Sequence, residues 1–226
     1  MKYATRSADP AFFNAASSGT HPPTGGILKR GFDIALASMA LLFLSPVFLM
    51  LVALVKFTNK GPALYGHSRI GHNGRTFKCL KFRTMVVDGD QVLRKHLDAN
   101  PKAREEWLAT RKLQDDPRVT PVGAVLRKLS LDELPQLLNI IRGEMSIVGP
   151  RPVVEDELML YESSAVYYLK ARPGLTGLWQ VSGRNDVSYA ERVGLDTHYV
   201  KNWSLLSDVT IIAKTIPAVC LSRGSY

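Results

Sequence analysis

Residues 34–55 read IALASMALLFLSPVFLMLVALV, 22 positions without a charge. A straight helix of that length would reach ~33 Å, enough to cross a hydrocarbon core of ~30 Å. The run begins too late for a cleavable signal peptide, and no small-residue cleavage site follows it. A buried core helix is the competing reading, but the segment is too long and too uniformly apolar for one. Near the middle stands Ser45-Pro46. Proline lacks an amide hydrogen and clashes with the preceding turn, at ~3 kcal/mol in a helix interior. The carbonyl it strands must find a partner, because lipid offers none; the Ser45 hydroxyl could serve. Two arrangements follow, a kinked span and a re-entrant hairpin with both ends on one face. Proline kinks are common in spanning helices, so these residues by themselves favour the kinked span. Lys29 and Arg30 precede the run and Lys56 and Lys60 follow it, so charge gives no clear orientation.

The net charge of +9 points to a polyanionic surface or substrate. It is local. No acidic residue lies between Asp33 and Asp88, whereas Lys56, Lys60, Arg69, Arg75, Lys78, Lys81 and Arg83 all do. From Thr84 onward, 18 basic and 18 acidic residues cancel. The excess cation therefore abuts the apolar run, where each Lys or Arg held at an anionic lipid surface adds ~1 kcal/mol. Cys79 and Cys220 lie far apart with no CxxC, so a disulfide scaffold or zinc finger is not expected.

Residues 1–28, rich in Ala, Ser, Thr, Pro and Gly, read as a mobile tail. Residues 29–60 form the membrane segment and 61–226 the remaining domain. Within that domain, residues 63–70 and 75–82 are extended stretches around the turn Gly71-His72-Asn73-Gly74, a β-hairpin signature. Helices are expected on both sides of Pro101, over 165–170 and over 188–201, with a short helix or loop at 119–128. Residues 203–221 are apolar but interrupted by Asp208, Lys214 and Pro217, too broken to span. Trp179 and Trp203 are candidates for a membrane interface or a core.

The chemistry-bearing stretch is Ser130-Leu131-Asp132-Glu133-Leu134-Pro135-Gln136. Ser130 with Glu133 has capping-box spacing, and a later cap at Asp132 would put Pro135 in the first turn, where it is tolerated. Either start places two carboxylates at a positive helix end. Arg127 lies just before them. Gly149-Pro150-Arg151-Pro152 and Arg172-Pro173-Gly174-Leu175-Thr176-Gly177 read as rigid basic loops, and Gln180-Val181-Ser182-Gly183-Arg184 follows. Arginine binds phosphate through paired hydrogen bonds, and a carboxylate pair holds Mg²⁺. Together they indicate phosphoryl chemistry on a diphosphate.

From Lys29 to about Ser222 the chain resembles the bacterial sugar transferases, the monotopic polyprenol-phosphate phosphoglycosyl transferases. The resemblance rests on Lys29-Arg30-Gly31-Phe32-Asp33, Ser45-Pro46, Lys81-Phe82-Arg83-Thr84-Met85, residues 129–136, Gly149–Pro152, Arg172–Gly177 and Gln180–Arg184, seven blocks in order. It implies an α+β fold: a small, mostly helical cytosolic domain with a short β-hairpin, fused to an N-terminal re-entrant helix broken at Ser45 and Pro46. It implies transfer of a sugar 1-phosphate from a UDP-sugar to undecaprenyl phosphate with release of UMP, the first membrane step of exopolysaccharide synthesis. By overall likeness the sugar is galactose. Asp132 would be the nucleophile, Asp132 and Glu133 would hold Mg²⁺, and Arg127, Arg151, Arg83, Lys81 and Arg184 would bind phosphates. The expected location is the bacterial inner membrane with the catalytic domain on its cytoplasmic face; a homo-oligomer is compatible. The alternative is a non-catalytic basic module anchored to anionic lipid that recruits other proteins, which leaves Asp132 and Glu133 without a role. Nucleic acid is not an expected partner, since the basic block lies against a lipid segment.

Overall fold

The computed structural model describes residues 22–59, 61–110, 112–183 and 187–220. Residues 1–21 of the expected tail, Lys60 and Arg184 lie outside them. In chain order come a long helix α1 (Gly26–Thr58), strands β1 (Leu64–Ile70) and β2 (Thr76–Phe82), then helices Gly89–Ala99, Pro101–Thr110 and Pro121–Lys128. A 3₁₀ turn at Leu131–Glu133 leads into helix Gln136–Arg142 and strand β3 (Ser146–Val148). Strand β4 (Gly174–Thr176) follows two short helices, and helices Tyr189–Lys201 and Leu205–Cys220 come last. The class is α+β and mostly helical, as expected. The hairpin signature corresponds to β1 and β2, which pair as a two-stranded sheet.

Helix α1 contains the whole apolar run, and helical backbone continues through Ser45 and Pro46, so the break expected there does not interrupt the helix. It begins at Gly26, inside the stretch read as tail, and Thr24 just before it donates from N and Oγ1 to the Lys170 carbonyl. Among the described residues α1 is the helix long and apolar enough to cross a membrane. Leu42 and Phe43 are 78% and 83% exposed, and Leu49, Met50 and Phe57 are exposed as well. A core helix would hide these side chains. The chain divides into two compact units, and the division on α1 falls between Phe43 and Leu44, beside Ser45-Pro46.

One unit takes in the described residues up to Phe43, Gly66–Leu80, and those from Pro135 onward. Leu36, Ala37, Ala40 and Leu41, at helical spacing, meet Phe77, Cys79, Leu137, Ile140, Met145, Ile147 and Val148. The charged residues ahead of the apolar run turn inward. Lys29 Nζ lies 2.6 Å from Asp208 Oδ2, with side chains 6% and 0% exposed. Tyr199 and Trp203 also donate to Asp208. Arg30 donates to the carbonyls of Ile140 and Ile141, the open end of helix Gln136–Arg142. Asp33 accepts from Ser146 Oγ and the Ile147 amide. Lys29 is thus an interior ion pair rather than a lipid-facing charge. Asp208, which breaks the apolar pattern of 203–221, is buried with Ile211 on the inner face of helix Leu205–Cys220, while Leu206, Val209 and Ile216 stay exposed.

The segments read as two rigid loops, Gly149–Pro152 and Arg172–Gly177, are held by a parallel pairing that the sequence did not indicate. Ser146 aligns with Gly174 and Val148 with Thr176. A Cβ on Gly174 would stand 2.1 Å from the Gly149 amide nitrogen, so the close approach requires glycine there. A second cluster gathers Ile70, Val153, Leu158, Tyr161, Ala165, Tyr168 and Leu169. At its centre the Tyr168 hydroxyl donates to the Ile70 carbonyl and accepts from the Val153 amide. Helix Tyr189–Lys201 begins as expected, with a Ser188–Glu191 capping box.

The other unit comprises Leu44–Tyr65 and Lys81–Leu134. Its core joins Leu51 and Val55 of α1 to Ala63, Phe82 and Leu126, with Phe48, Val52, Val122, Leu131 and Leu134 around them. The helices Gly89–Ala99 and Pro101–Thr110 break at Asn100, whose extended backbone is the conformation a following proline imposes. Helix Pro121–Lys128 is capped by Thr120, whose side chain accepts from the Gly123 amide. Met85 and Val119 form an antiparallel bridge, which ties the chain leaving β2 to the entry of this helix.

Candidate active site

Strand alternation places Lys81 and Arg83 on the face opposite Phe82, which is buried in the core. Helix Pro121–Lys128 carries Arg127 in its last turn. The chain then turns sharply through Ser130, which adopts φ 55° and ψ 19°. That left-handed conformation is uncommon for serine and costs ~1–2 kcal/mol. Leu131 and Leu134 enter the core on either side of the turn. Asp132 and Glu133 are left between them.

The expected helix start is not formed. Ser130 makes no side-chain cap, Leu131–Glu133 is a 3₁₀ turn, and Pro135 stands immediately before helix Gln136–Arg142. Pro135 itself forbids the earlier start, because its missing amide would fall in the interior. The carboxylates therefore lie in the 3₁₀ turn just ahead of helix Gln136–Arg142 rather than in its own first turn, and side-chain cations lie beside them. Lys81 Nζ lies 2.6 Å from Glu133 Oε1 and 3.8 Å from Asp132 Oδ2. Asp132 is 9% exposed. Burial pushes its carboxyl above the ordinary range; Lys81 opposes this, Glu133 adds to it, and Arg127 opposes it more weakly. The result is a buried carboxylate whose charge depends on its cation neighbours.

Of the residues expected from sequence, the structure brings together Lys81, Arg127, Asp132 and Glu133. Arg83 is turned elsewhere, with Nε donating to the Pro62 carbonyl and its guanidinium over the Tyr65 ring. Arg151 belongs to the other unit, where its guanidinium lies 5.9 Å from the Trp179 ring centroid. Trp179 is buried, and Trp203 donates to Asp208, so both are engaged within the protein. Other cations of the basic block are also committed: Lys78 donates to Ser68, and Arg69 pairs with Glu157.

Two polar residues have no role assigned by the sequence, Thr84 within the Lys81–Met85 block and Asn139. Thr84 is 7% exposed, and its Oγ1 accepts from Arg127 Nε at 2.8 Å. Asn139 is fully buried in the unit that holds Leu80. Its Oδ1 accepts from the Leu80 amide, and its Nδ2 donates to the Lys78 carbonyl and to Glu144. The available signal was a lone amide among Leu137, Leu138, Ile140 and Ile141. No group of three or more potential metal ligands occurs among the described residues.

A buried Asp132 beside a partly exposed Glu133, compensated by lysine and arginine, suits a protein that handles phosphate. The match to known families is specific: the model for bacterial sugar transferases covers residues 24–222, and the chain belongs to that family. Among similar proteins is an exopolysaccharide production protein, ExoY, of Sinorhizobium fredii, 70% identical over the full length of both chains. An undecaprenyl-phosphate galactose phosphotransferase of Salmonella typhimurium is 52% identical over 200 residues, 88% of this chain and 42% of that protein. A UDP-glucose:undecaprenyl-phosphate glucose-1-phosphate transferase of Escherichia coli is 36% identical over 209 residues, again 88% of this chain and 42% of that one. The chain thus spans less than half the length of the latter two.

Proposed function

We propose that this chain transfers a sugar 1-phosphate from a UDP-sugar to undecaprenyl phosphate and releases UMP, with Asp132 as the nucleophile. One observation carries the reading: a nearly buried Asp132 carboxylate beside Lys81, with Arg127 also lowering its affinity for a proton. A carboxylate attacks phosphorus effectively when it is ionised, oriented and next to charge that offsets the attacked phosphate. In the first stage an Asp132 oxygen bonds to the phosphorus that bears the sugar. The bond from that phosphorus to UMP breaks, and UMP departs with the electron pair. In the second stage a phosphate oxygen of undecaprenyl phosphate attacks the same phosphorus and Asp132 leaves as a free carboxylate. The product is an undecaprenyl diphospho-sugar, and the kinetics are ping-pong.

Arg127 and Lys81 bind phosphate in this scheme, and Arg151, Arg83 and Arg184 are assigned the same role by family resemblance. Asp132 and Glu133 fit a Mg²⁺ ion as a two-carboxylate site of the kind that substrate phosphates and water complete. The Lys81 ammonium against Glu133 is already a cation in that position. Bound there, Mg²⁺ would neutralise charge on the diphosphate. The galactose phosphotransferase relative is 52% identical and the glucose one 36%, which favours galactose as the sugar. The name of the full-length relative supports a place in exopolysaccharide production. For α1, the reading is a re-entrant helix turned at Ser45-Pro46 in the inner membrane, with the catalytic domain on the cytoplasmic side.

The test is UMP release by the full chain in detergent with undecaprenyl phosphate, Mg²⁺ and a panel of UDP-sugars. UDP-galactose should be the best donor, and Asp132→Asn should abolish release. A homogeneous Asp132→Asn protein with full turnover refutes the nucleophile. Single cysteines at positions 26 and 60 should both be labelled from the cytoplasmic side of intact cells; labelling from opposite sides refutes the re-entrant helix.

A further inference from the structure

Thr84 grips one helix at both ends. Its carbonyl accepts from the Thr120 amide at 3.0 Å, where helix Pro121–Lys128 begins. Its hydroxyl oxygen accepts from Arg127 Nε at 2.8 Å, where the helix ends. Thr120 and Arg127 are seven residues apart and so share a helix face. Gly123 lies on the same face between them, and a Cβ there would stand 2.1 Å from the Thr84 carbonyl oxygen. The helix is therefore pressed against this one residue, with no side chain between. The arrangement places the arginine in a defined attitude. Nε–H is one of five donors in a rigid planar fork, and fixing it fixes the plane in which the terminal amines lie. Arg127 is itself exposed, so packing alone does not hold its end.

We propose that Thr84 is a positioning residue: its hydroxyl orients the Arg127 guanidinium so that the two terminal amines meet a substrate phosphate as a pair. This rests on the reading of Arg127 as a phosphate ligand. The phosphate could come from the nucleotide diphosphate or from the lipid phosphate, and measuring KM for each substrate separately identifies which.

The experiment compares Thr84→Val, Thr84→Ser, Arg127→Lys and the Thr84→Val/Arg127→Lys double variant, all as full chains in detergent. Valine keeps the shape and removes the acceptor. A hydrogen bond to a charged group corresponds to a change of about tenfold to a hundredfold. Thr84→Val should lose about tenfold or more in kcat/KM, concentrated in the KM of one substrate, at unchanged melting temperature. Thr84→Ser should recover to within about threefold. Lysine has no Nε–H fork, so the double variant should be no worse than Arg127→Lys. If Thr84→Val proves unstable, the serine rescue and the same cycle built with Thr84→Ala carry the test. Full activity of Thr84→Val, a serine variant as poor as valine, or losses that add in the double variant overturn the role of Thr84. An Arg127→Lys variant with unchanged KM for both substrates overturns instead the reading of Arg127.

Discussion

Replacing Lys81 with methionine tests the charge balance at Asp132 directly. The ammonium lies 3.8 Å from Asp132 Oδ2. At that separation two unit charges interact by about 1 kcal/mol in water and about 4 kcal/mol at an effective dielectric constant of 20. The Lys81 side chain is 33% exposed, so solvent screening selects the low end. About 1.4 kcal/mol corresponds to one pKa unit. Lys81 lowers the Asp132 pKa, and Glu133, which the variant leaves without its partner, raises it. Both changes act in one direction. The acid limb of kcat/KM for the nucleotide donor should therefore move up by about one pH unit in Lys81→Met. Lys81→Arg, which keeps the charge, should stay near the parent. The assay is initial-rate UMP release over a pH series with lipid phosphate saturating. An acid limb that stays in place or moves down refutes Lys81 as the group that keeps Asp132 ionised.

Two stability predictions follow from other buried charges. Lys29→Met strips the cation from Asp208, whose side chain is fully buried, and a broken buried pair costs ~3–5 kcal/mol. Tyr199 and Trp203 still donate to Asp208 and keep the loss near the low end, so thermal unfolding should fall by about 6–12 °C; a shift under about 2 °C contradicts the buried pair. Asp196 is buried, which raises its carboxyl to about 7 against the opposition of Tyr161 and Arg151. A raised carboxyl binds its proton more tightly in the folded chain, so stability present below pH ~4 is lost as pH rises to about 7. Asp196→Asn should remove that part of the pH dependence in denaturant titrations, and a parallel pair of curves refutes it.

Sequence carried the elements whose causes are local. The β1–β2 turn has its Asn-Gly chemistry, Pro101 divides two helices, and Ser188 with Glu191 opens another. What escaped depends on residues distant in the chain. Strands β3 and β4 are three residues each, too short for a period, and glycines at 149 and 174 read as loop residues until the other strand lies against them. At the candidate site Arg127, Asp132 and Glu133 are legible as neighbours in one stretch and Lys81 as part of a separate motif, which the fold brings to them. Their supports are not, because a buried Thr84 or Asn139 leaves no periodic mark. Ser130 departs from its capping-box spacing because that signal is local and is overridden here by Pro135 and by the packing of the partly buried Leu131 and Leu134.

The inward pairing of Lys29, Arg30 and Asp33 bears on how the orientation of α1 can be probed. Flanking cations are the usual targets when investigators try to invert a membrane segment by reversing its charges. Here such swaps would strip Asp208 of its counterion and open the carbonyls of Ile140 and Ile141. A collapse in expression after those exchanges would record misfolding rather than a flipped segment. Lys56, at the far end of the helix, is the cleaner handle.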